Sequence, residues 1–335
     1  MNIGIYNTYF ESTGFGGGER YMLTAAVHWA EKHTVSIICD NPKLPELALK
    51  RFGLDTRGIQ FVPNFFVGDG VIQKILKSRV YDVLFMLTDG SIPMSFAKKN
   101  IFHVQVPFPK LPFHPLKKIH TVVCNSEFTR KHLDQRVDAR VVIIYPPVDV
   151  ASFMIGKKEK IILSAGRFHQ LKKQDVLIEA FKKLNGTSWK LVLAGGFMES
   201  DREYYSKLKS QAKGLNIEFH TNIAFSDLQI LYATSFLYWH AAGYGEDNPI
   251  NMEHFGITTV EAMASGCIPL VYNGGGLPEI VEDGKTGFLW TTLEELIQKT
   301  KRTITEDLVV LRSQVVRRAG DFSVDRFTKA IDTLL

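Results

Sequence analysis

In the first 145 positions apolar residues fall in short, often β-branched runs separated by polar or helix-period stretches. Ile3–Tyr6 is followed by a glycine-rich loop and then by a helix-period run from Tyr21 to Lys32. Thr34–Cys39, Gln60–Val62, Asp82–Leu87, Asn100–Val104, Thr121–Cys124 and Arg140–Ile144 read as further strands. Strands alternating with helices predict a parallel sheet covered on both faces. The pattern breaks at Tyr145-Pro146-Pro147-Val148-Asp149, where two prolines continue neither a central strand nor a helix. A linker is expected there.

A second series then begins. Lys160–Ala165, Trp189–Ala194, Ile217–His220, Phe236–His240 and Ile268–Tyr272 read as strands. Gln174–Leu184, Glu203–Lys213, Ser226–Thr234, Thr258–Ser265 and Leu293–Arg302 read as helices. The prediction is an α/β protein of two Rossmann-like domains, residues 1–149 and 150–320, facing across a cleft. A last helix, 321–335, carries Phe327, Ile331 and Leu334 at helical spacing. Ligands in such sheets bind beyond the carboxyl ends of the strands, so the loops there are where chemistry is sought.

Length agrees with two domains, since 335 residues exceed what one core usually supports. The 45% apolar and 22% charged content is ordinary for a soluble enzyme. No apolar run is long enough for a membrane-spanning helix, and the N-terminus does not read as a signal peptide. Cys39, Cys124 and Cys267 sit apart in apolar runs, so buried reduced thiols and a cytoplasmic setting are expected. The net charge of +5 is uneven: residues 1–150 hold 18 Lys and Arg against 13 Asp and Glu, and the remainder is balanced. Such a basic half is compatible with anionic lipid, with a phosphorylated acceptor, or with no partner. No nucleic-acid partner is expected.

Gly14-Phe15-Gly16-Gly17-Gly18-Glu19-Arg20 lies between the first strand and a helix, where glycines and a helix N-terminus suit an anion. A dinucleotide fingerprint is the rival reading, with Asp40 as the ribose acid, but its third glycine falls on Glu19. A plain turn is the simplest alternative. After Lys160–Ala165 come Gly166, Arg167 and Lys172. Two cations five residues apart before a helix suit a diphosphate, Arg167 as a fork and Lys172 as a point charge. Basic residues on a turn are also commonly just solvated.

The stretch Asn251–Gly266 is the most informative. Thr258 or Thr259 is expected to open its helix, leaving Glu253 in the preceding loop and Glu261 inside. Free amides of Gly256, Ile257 and Thr258 would form a cradle for phosphate or sugar hydroxyls. The Ala262-Met263-Ala264 face should pack inward, so a glutamate beside it wants a partner.

Together these segments resemble glycosyltransferase family 4, the retaining enzymes of GT-B fold. The resemblance rests on Gly16-Gly17-Gly18-Glu19-Arg20, on Gly166-Arg167 with Lys172, and on Leu191–Gly196. Most specific are Glu253 and Glu261 within EHFGITTVEAMASGCIPLV, then Gly274–Val281 and Asp283–Leu289. It implies that Arg167 and Lys172 bind a donor diphosphate, that Glu253 contacts the transferred sugar, and that Glu261 contacts the ribose. Phe255, Gly256 and Ile257 would add backbone contacts, and Gly16 and Gly17 would approach the phosphates. His103 resembles the first-domain histidine that faces the reacting sugar; a buried structural histidine is the alternative. The last helix is implied to cross back to the first domain. NMEHFGI and YPPVD are similar to mannosyltransferases of lipid-linked oligosaccharide assembly, which favours GDP-mannose as donor and a glycan or lipid-linked acceptor. A UDP-hexose transferase on a soluble acceptor and a non-catalytic sugar-binding protein are the rivals. Lys173 departs from the glycine common in the family. No Asp-x-Asp or His/Cys cluster declares a metal site, so neither a metal nor another cofactor is expected.

Val106–Lys118 mixes prolines, apolar residues and cations and is expected to be an extended loop. Phe108, Leu111, Phe113 and Leu116 beside Lys110, Lys117 and Lys118 make an anionic membrane surface a candidate partner, with peripheral attachment; a loop packed on its own domain is the alternative.

Overall fold

In the computed structural model of the chain these runs become the strands of two parallel sheets. Residues 1–12, 16–108, 110–184, 188–305 and 308–335 are described, without the side chains of Phe113 and Pro115. Gly14 and Phe15 of the glycine loop, and the Phe113 side chain proposed for lipid contact, lie outside the described residues. Contacts divide the chain into Met1–Pro147 with Val324–Leu335, unit 1, and Val148–Ser323, unit 2.

Unit 1 runs β1 (Asn2–Asn7), α1 (Gly17–Ala30), β2 (Thr34–Ile38), α2 (Leu44–Phe52), β3 (Gln60–Val62), α3 (Val71–Ser78) and β4 (Val83–Leu87). It continues with β5 (Lys99–Val104), α4 (Phe113–Leu116), β6 (Thr121–Cys124), α5 (Glu127–Lys131) and β7 (Arg140–Ile143). The strand order is β3-β2-β1-β4-β5-β6-β7. The chain builds outward from β1 to β3 and then returns to the other side of β1. That reversal opens a crevice beyond the carboxyl ends of β1 and β4, where ligands of such sheets bind. Ile3 and Ile5 of β1 sit beside Val35 and Ile37 of β2 and beside Val83 and Phe85 of β4. They pack on Tyr21, Met22, Ala25 and Trp29, which the three- and four-residue steps from Tyr21 and Met22 to Ala25 and on to Trp29 bring to one face of α1. Truncating the fully buried Trp29 to alanine would cost about 3–5 kcal/mol.

Unit 2 runs β8 (Glu159–Ala165), α6 (Gln174–Lys183), β9 (Lys190–Gly195), α7 (Arg202–Gln211), β10 (Ile217–Thr221), α8 (Phe225–Thr234) and β11 (Ser235–His240). Then come α9 (Ile257–Ala264), β12 (Ile268–Tyr272), α10 (Leu277–Ile280), β13 (Phe288–Trp290), α11 (Leu293–Thr303) and α12 (Val309–Ala319). The order is β10-β9-β8-β11-β12-β13, again all parallel, with its reversal between β8 and β11. The last helix, α13 (Val324–Asp332), returns to unit 1. Its Phe327 meets the edge of Tyr21 at 4.7 Å, Ile331 and Leu334 join the α1 core, and the Leu334 carbonyl accepts from Lys99 Nζ at 2.6 Å.

Two local expectations need correcting. The segment after Pro109 is not wholly extended, because Phe113–Leu116 forms a helical turn. Its Leu111 and Leu116 are buried with Phe65, Phe66 and Met86, and Phe108 packs against that cluster. The Leu111 amide is fixed by Asp134, which Arg136 holds in turn. These leucines serve the core and face no lipid. The other correction concerns α9, whose cap is Gly256 and not a threonine. Gly256 stands at φ +114°, a left-handed turn that only glycine enters without strain.

Candidate functional site

Unit 2 gathers its chemistry at the reversal between β8 and β11. Leaving β8, the chain turns at Gly166, whose amide donates to Ala194 O at 2.9 Å. A side chain on Gly195 would lie 1.9 Å from Gly166 O, so glycine is obligatory where the two turns cross. His169 caps the short 3₁₀ turn Gln170–Lys172 by accepting from the Leu171 amide at 3.2 Å. That turn fixes where Lys172 begins. Arg167 donates from Nε to the buried carboxylate of Asp201 at 2.9 Å while its side chain stays 45% exposed, leaving the rest of the fork for a ligand.

Beyond β11 the chain returns to the same place. Glu253 stands with its carboxylate 2.5 Å from Lys172 Nζ and 3.3 Å from His240 Nε2. Burial alone pushes the Glu253 carboxyl up, but the Lys172 charge and the His240 ring outweigh it and hold the group well below the usual carboxylate range. The backbone of Glu253 is fixed as well. Its carbonyl accepts from the Gly276 amide at 2.8 Å, and a side chain on Gly275, at φ +63°, would lie 2.1 Å from that oxygen. The glycines of Gly274-Gly275-Gly276 are therefore what allows this close approach.

Glu261 lies one turn into α9, nearly buried, and accepts from the Tyr232 hydroxyl at 3.1 Å. The partner expected for it is an aromatic hydroxyl from α8. Tyr238 ties the two halves of the site together, its hydroxyl 3.1 Å from Ala165 O and 2.8 Å from Thr258 Oγ1. Phe255 is buried against Phe322, so it can offer a ligand only its backbone. The first amides of α9, after Phe255, Gly256 and Ile257, have no carbonyl one turn back within the helix. Lys173 occupies a left-handed position, φ +53°, which accounts for the preference for glycine there. Its side chain turns to Glu246 at 2.5 Å, and Glu246 also accepts from Asn251, two residues before Glu253.

Thus the structure joins Lys172 and Glu253 directly, and seats Arg167 and Glu261 on Asp201 and Tyr232. Asp201, His240, Tyr232 and Tyr238 escaped the sequence reading. His240 and Tyr238 lie inside an apolar strand and Tyr232 inside a helix, and nothing local marks them.

Unit 1 has its own cavity, about 200 Å³, at its reversal. Tyr9, Gly18, Glu19, Leu87, Thr88, Gln105, Val106 and Phe108 line it. Gly16 donates its amide to the Glu19 carboxylate at 2.7 Å, so Glu19 folds back over the start of α1, where Gly17 is the first helical residue. His103 is not among the lining residues. It is 0% exposed, stacked on Tyr21 with ring centroids 3.9 Å apart, and its Nδ1 lies 3.0 Å from Val123 O. Burial pushes its pKa down to about 3, so the ring is neutral at ordinary pH. Nδ1–H donates to the carbonyl and Nε2 is left to accept from the Gln105 carboxamide at 3.2 Å. Gln105, two residues on and past the strand end, reaches the cavity. Period-two spacing after a strand was the available signal for it. A side chain on Gly18 would lie 2.8 Å from its oxygen, so the glycine run rests against this amide.

Two parallel sheets, each with its polar groups at the strand reversal, define the GT-B class of glycosyltransferases. The fold is that of solved members across essentially the full length. Anabaena HepE in complex with UDP superposes with a TM-score of 0.79 at 19% identity, covering 100% of this chain and 99% of that one. A glycosyltransferase from Rickettsia africae gives 0.77 at 19% identity, covering 99% and 97%. Residues 149–318 match the family glycosyl transferases group 1, and the chain belongs to it. Among curated relatives, the Dictyostelium discoideum GDP-Man:Man(3)GlcNAc(2)-PP-Dol alpha-1,2-mannosyltransferase is 32% identical over 236 residues, 62% of this chain and 44% of its own length. The Mus musculus protein of the same name is 36% identical over 194 residues, 50% and 38%. The chain therefore spans less than half the length of these relatives.

Proposed function

We propose that this chain is a retaining mannosyltransferase that moves mannose from GDP-mannose to a lipid-linked glycan. The observation that carries the reading is the Lys172–Glu253 pair at the β8–β11 reversal. Lys172 and Arg167 take the donor diphosphate, Glu253 the hydroxyls of the transferred sugar, and Glu261 the ribose. The Phe255–Ile257 backbone adds amide contacts. The amide of Gly17 is a further candidate for an anion, while that of Gly16 is held by the Glu19 carboxylate. An arriving diphosphate competes with Glu253 for Lys172. Once Lys172 turns to phosphate, the carboxylate is free to accept sugar hydroxyls, so charge is exchanged and never left bare.

Transfer itself is a displacement at the anomeric carbon. The bond to the diphosphate oxygen breaks as the acceptor oxygen bonds on the same face, and the departing phosphate takes the acceptor proton. Arg167 and Lys172 stabilise the charge that grows on the leaving group, which is where stabilisation raises the rate. No metal or organic cofactor enters this reading.

The identities of the relatives support mannose and a lipid-linked acceptor. The test is titration of GDP-mannose, UDP-glucose and ADP-glucose, followed calorimetrically, with transfer to a pyrophosphate-lipid-linked oligosaccharide. GDP-mannose should bind tightest and alone turn over. Binding of UDP-glucose with GDP-mannose failing would replace the donor assignment by the UDP-hexose reading.

A further inference from the structure

The segment from Val67 to Val80 carries a feature that the transfer chemistry does not use. Val67, Val71, Ile72, Leu76 and Val80 are each between 53 and 72% exposed. A single exposed aliphatic residue is unremarkable on a protein surface, but five within fourteen positions are not. Ile72 and Leu76 lie four apart, a stripe on one side of α3, and the exposed Val80 follows in the turn just past its end. The opposite side of the helix is the one that packs, with Ser78 buried and Ile75 half-buried.

Cations border this stripe. The Phe96 amide donates to Ser78 Oγ at 2.9 Å and brings Met94, 37% exposed, to the end of α3. Over the Phe96 ring stand Lys118 Nζ at 3.9 Å and the Arg79 guanidinium at 5.9 Å. Neither Arg79 nor Lys118 is paired with an acid among the described residues. The nearby acids are already engaged, Asp69 by Lys77 and Asp82 by Lys98. The whole positive excess of the chain also lies in its first 150 residues.

A short helix with an aliphatic outer stripe and unpaired cations at its rim fits the boundary between headgroups and acyl chains. Aliphatic side chains enter the boundary while arginine and lysine meet phosphate. A protein partner would more usually be met by an aromatic or arginine anchor in a pocket, and none lies on this stripe.

We propose that residues 67–80, with Met94, Arg79 and Lys118, rest on an anionic lipid surface. This places the aliphatic part of the lipid contact on α3; the loop 106–118 contributes only Lys118, because its Leu111 and Leu116 point into the core. The proposal deepens the lipid-linked acceptor reading and rests on it for its use to the enzyme.

The test floats the full chain with vesicles of phosphatidylcholine plus phosphatidylglycerol, and with phosphatidylcholine alone. The wild type should rise with the anionic vesicles and fall away as salt is added. Ile72→Glu/Leu76→Glu and Arg79→Glu/Lys118→Glu should each weaken partitioning at least about tenfold, with unchanged circular dichroism and melting temperature. Wild type that stays unbound, or both variants floating as well as wild type, overturns the proposal. So does a dimer in sedimentation that Ile72→Glu/Leu76→Glu dissolves, since the stripe would then be covered by a second copy. Transfer from GDP-mannose to the pyrophosphate-lipid-linked oligosaccharide dissolved in detergent, without vesicles, separates the two readings. Wild type that turns over there but does not float removes the lipid contact alone, and wild type that floats without any turnover removes the transferase reading alone.

Discussion

Beyond β8 and β11, unit 2 sets a lysine against a glutamate at 2.5 Å, with an arginine and a second glutamate seated nearby. Beyond β1, β4 and β5, unit 1 sets a carboxamide, a threonine and a tyrosine around its cavity, with the one lining carboxylate among the described residues, Glu19, folded back on Gly16. The same strand reversal thus builds one ionic crevice and one that is nearly neutral. The ionic side is suited to a ligand that brings its own negative charge, because phosphate can replace Glu253 on Lys172. The neutral side suits the hydroxyl groups of an uncharged ligand, which need donors and acceptors and bring no charge to be balanced.

The largest effect should come from the ionic side. Glu253→Ala should reduce kcat by at least about a hundredfold while nucleotide binding survives, because Lys172 remains for the phosphates. Loss of nucleotide binding in step with turnover would make Glu253 a scaffold for Lys172 and not a sugar contact. On the neutral side, Gln105→Ala should reduce kcat/KM by about twofold to tenfold, the worth of one hydrogen bond to an acceptor hydroxyl held in that cavity. Some stability should go too, about 1–3 kcal/mol, since His103 Nε2 would be left buried without its partner. An unchanged kcat/KM would show that the Gln105 carboxamide holds no acceptor hydroxyl. The smallest effect should be that of Lys173→Gly. Glycine relieves a left-handed φ, while the half-buried pair with Glu246 is lost, and the two offset to within about 1 kcal/mol of unfolding free energy. A larger loss would show that the clamp through Glu246 to Asn251 holds the Glu253 loop.

Much of this architecture was legible in the chain. Thr121–Cys124 and Gln60–Val62 coincide with their strands to the residue, and Gln174–Lys183 begins where the pattern places it. The helices α2, α3 and α12 went unread as elements; in α3 and α12 apolar residues such as Ile72 and Val310 are turned outward, so their pattern does not mark a buried face. The Lys172 and Glu253 residue types were marked by glycine turns and by a motif, both local in sequence. Their supports were not, since Asp201, Tyr232 and His240 come from other loops and strands.

Periodicity, turn chemistry and the spacing of charged residues are properties of a one-dimensional string, and they determined the two α/β series and the candidate site residues. Only the folded chain decided that Gln105 and not His103 reaches the unit 1 cavity, that Leu111 and Leu116 turn inward, and that α13 packs on Tyr21. Those outcomes depend on which distant surface offers the better burial or hydrogen bond. That competition is settled between segments far apart in sequence, so no stretch read by itself contains the answer.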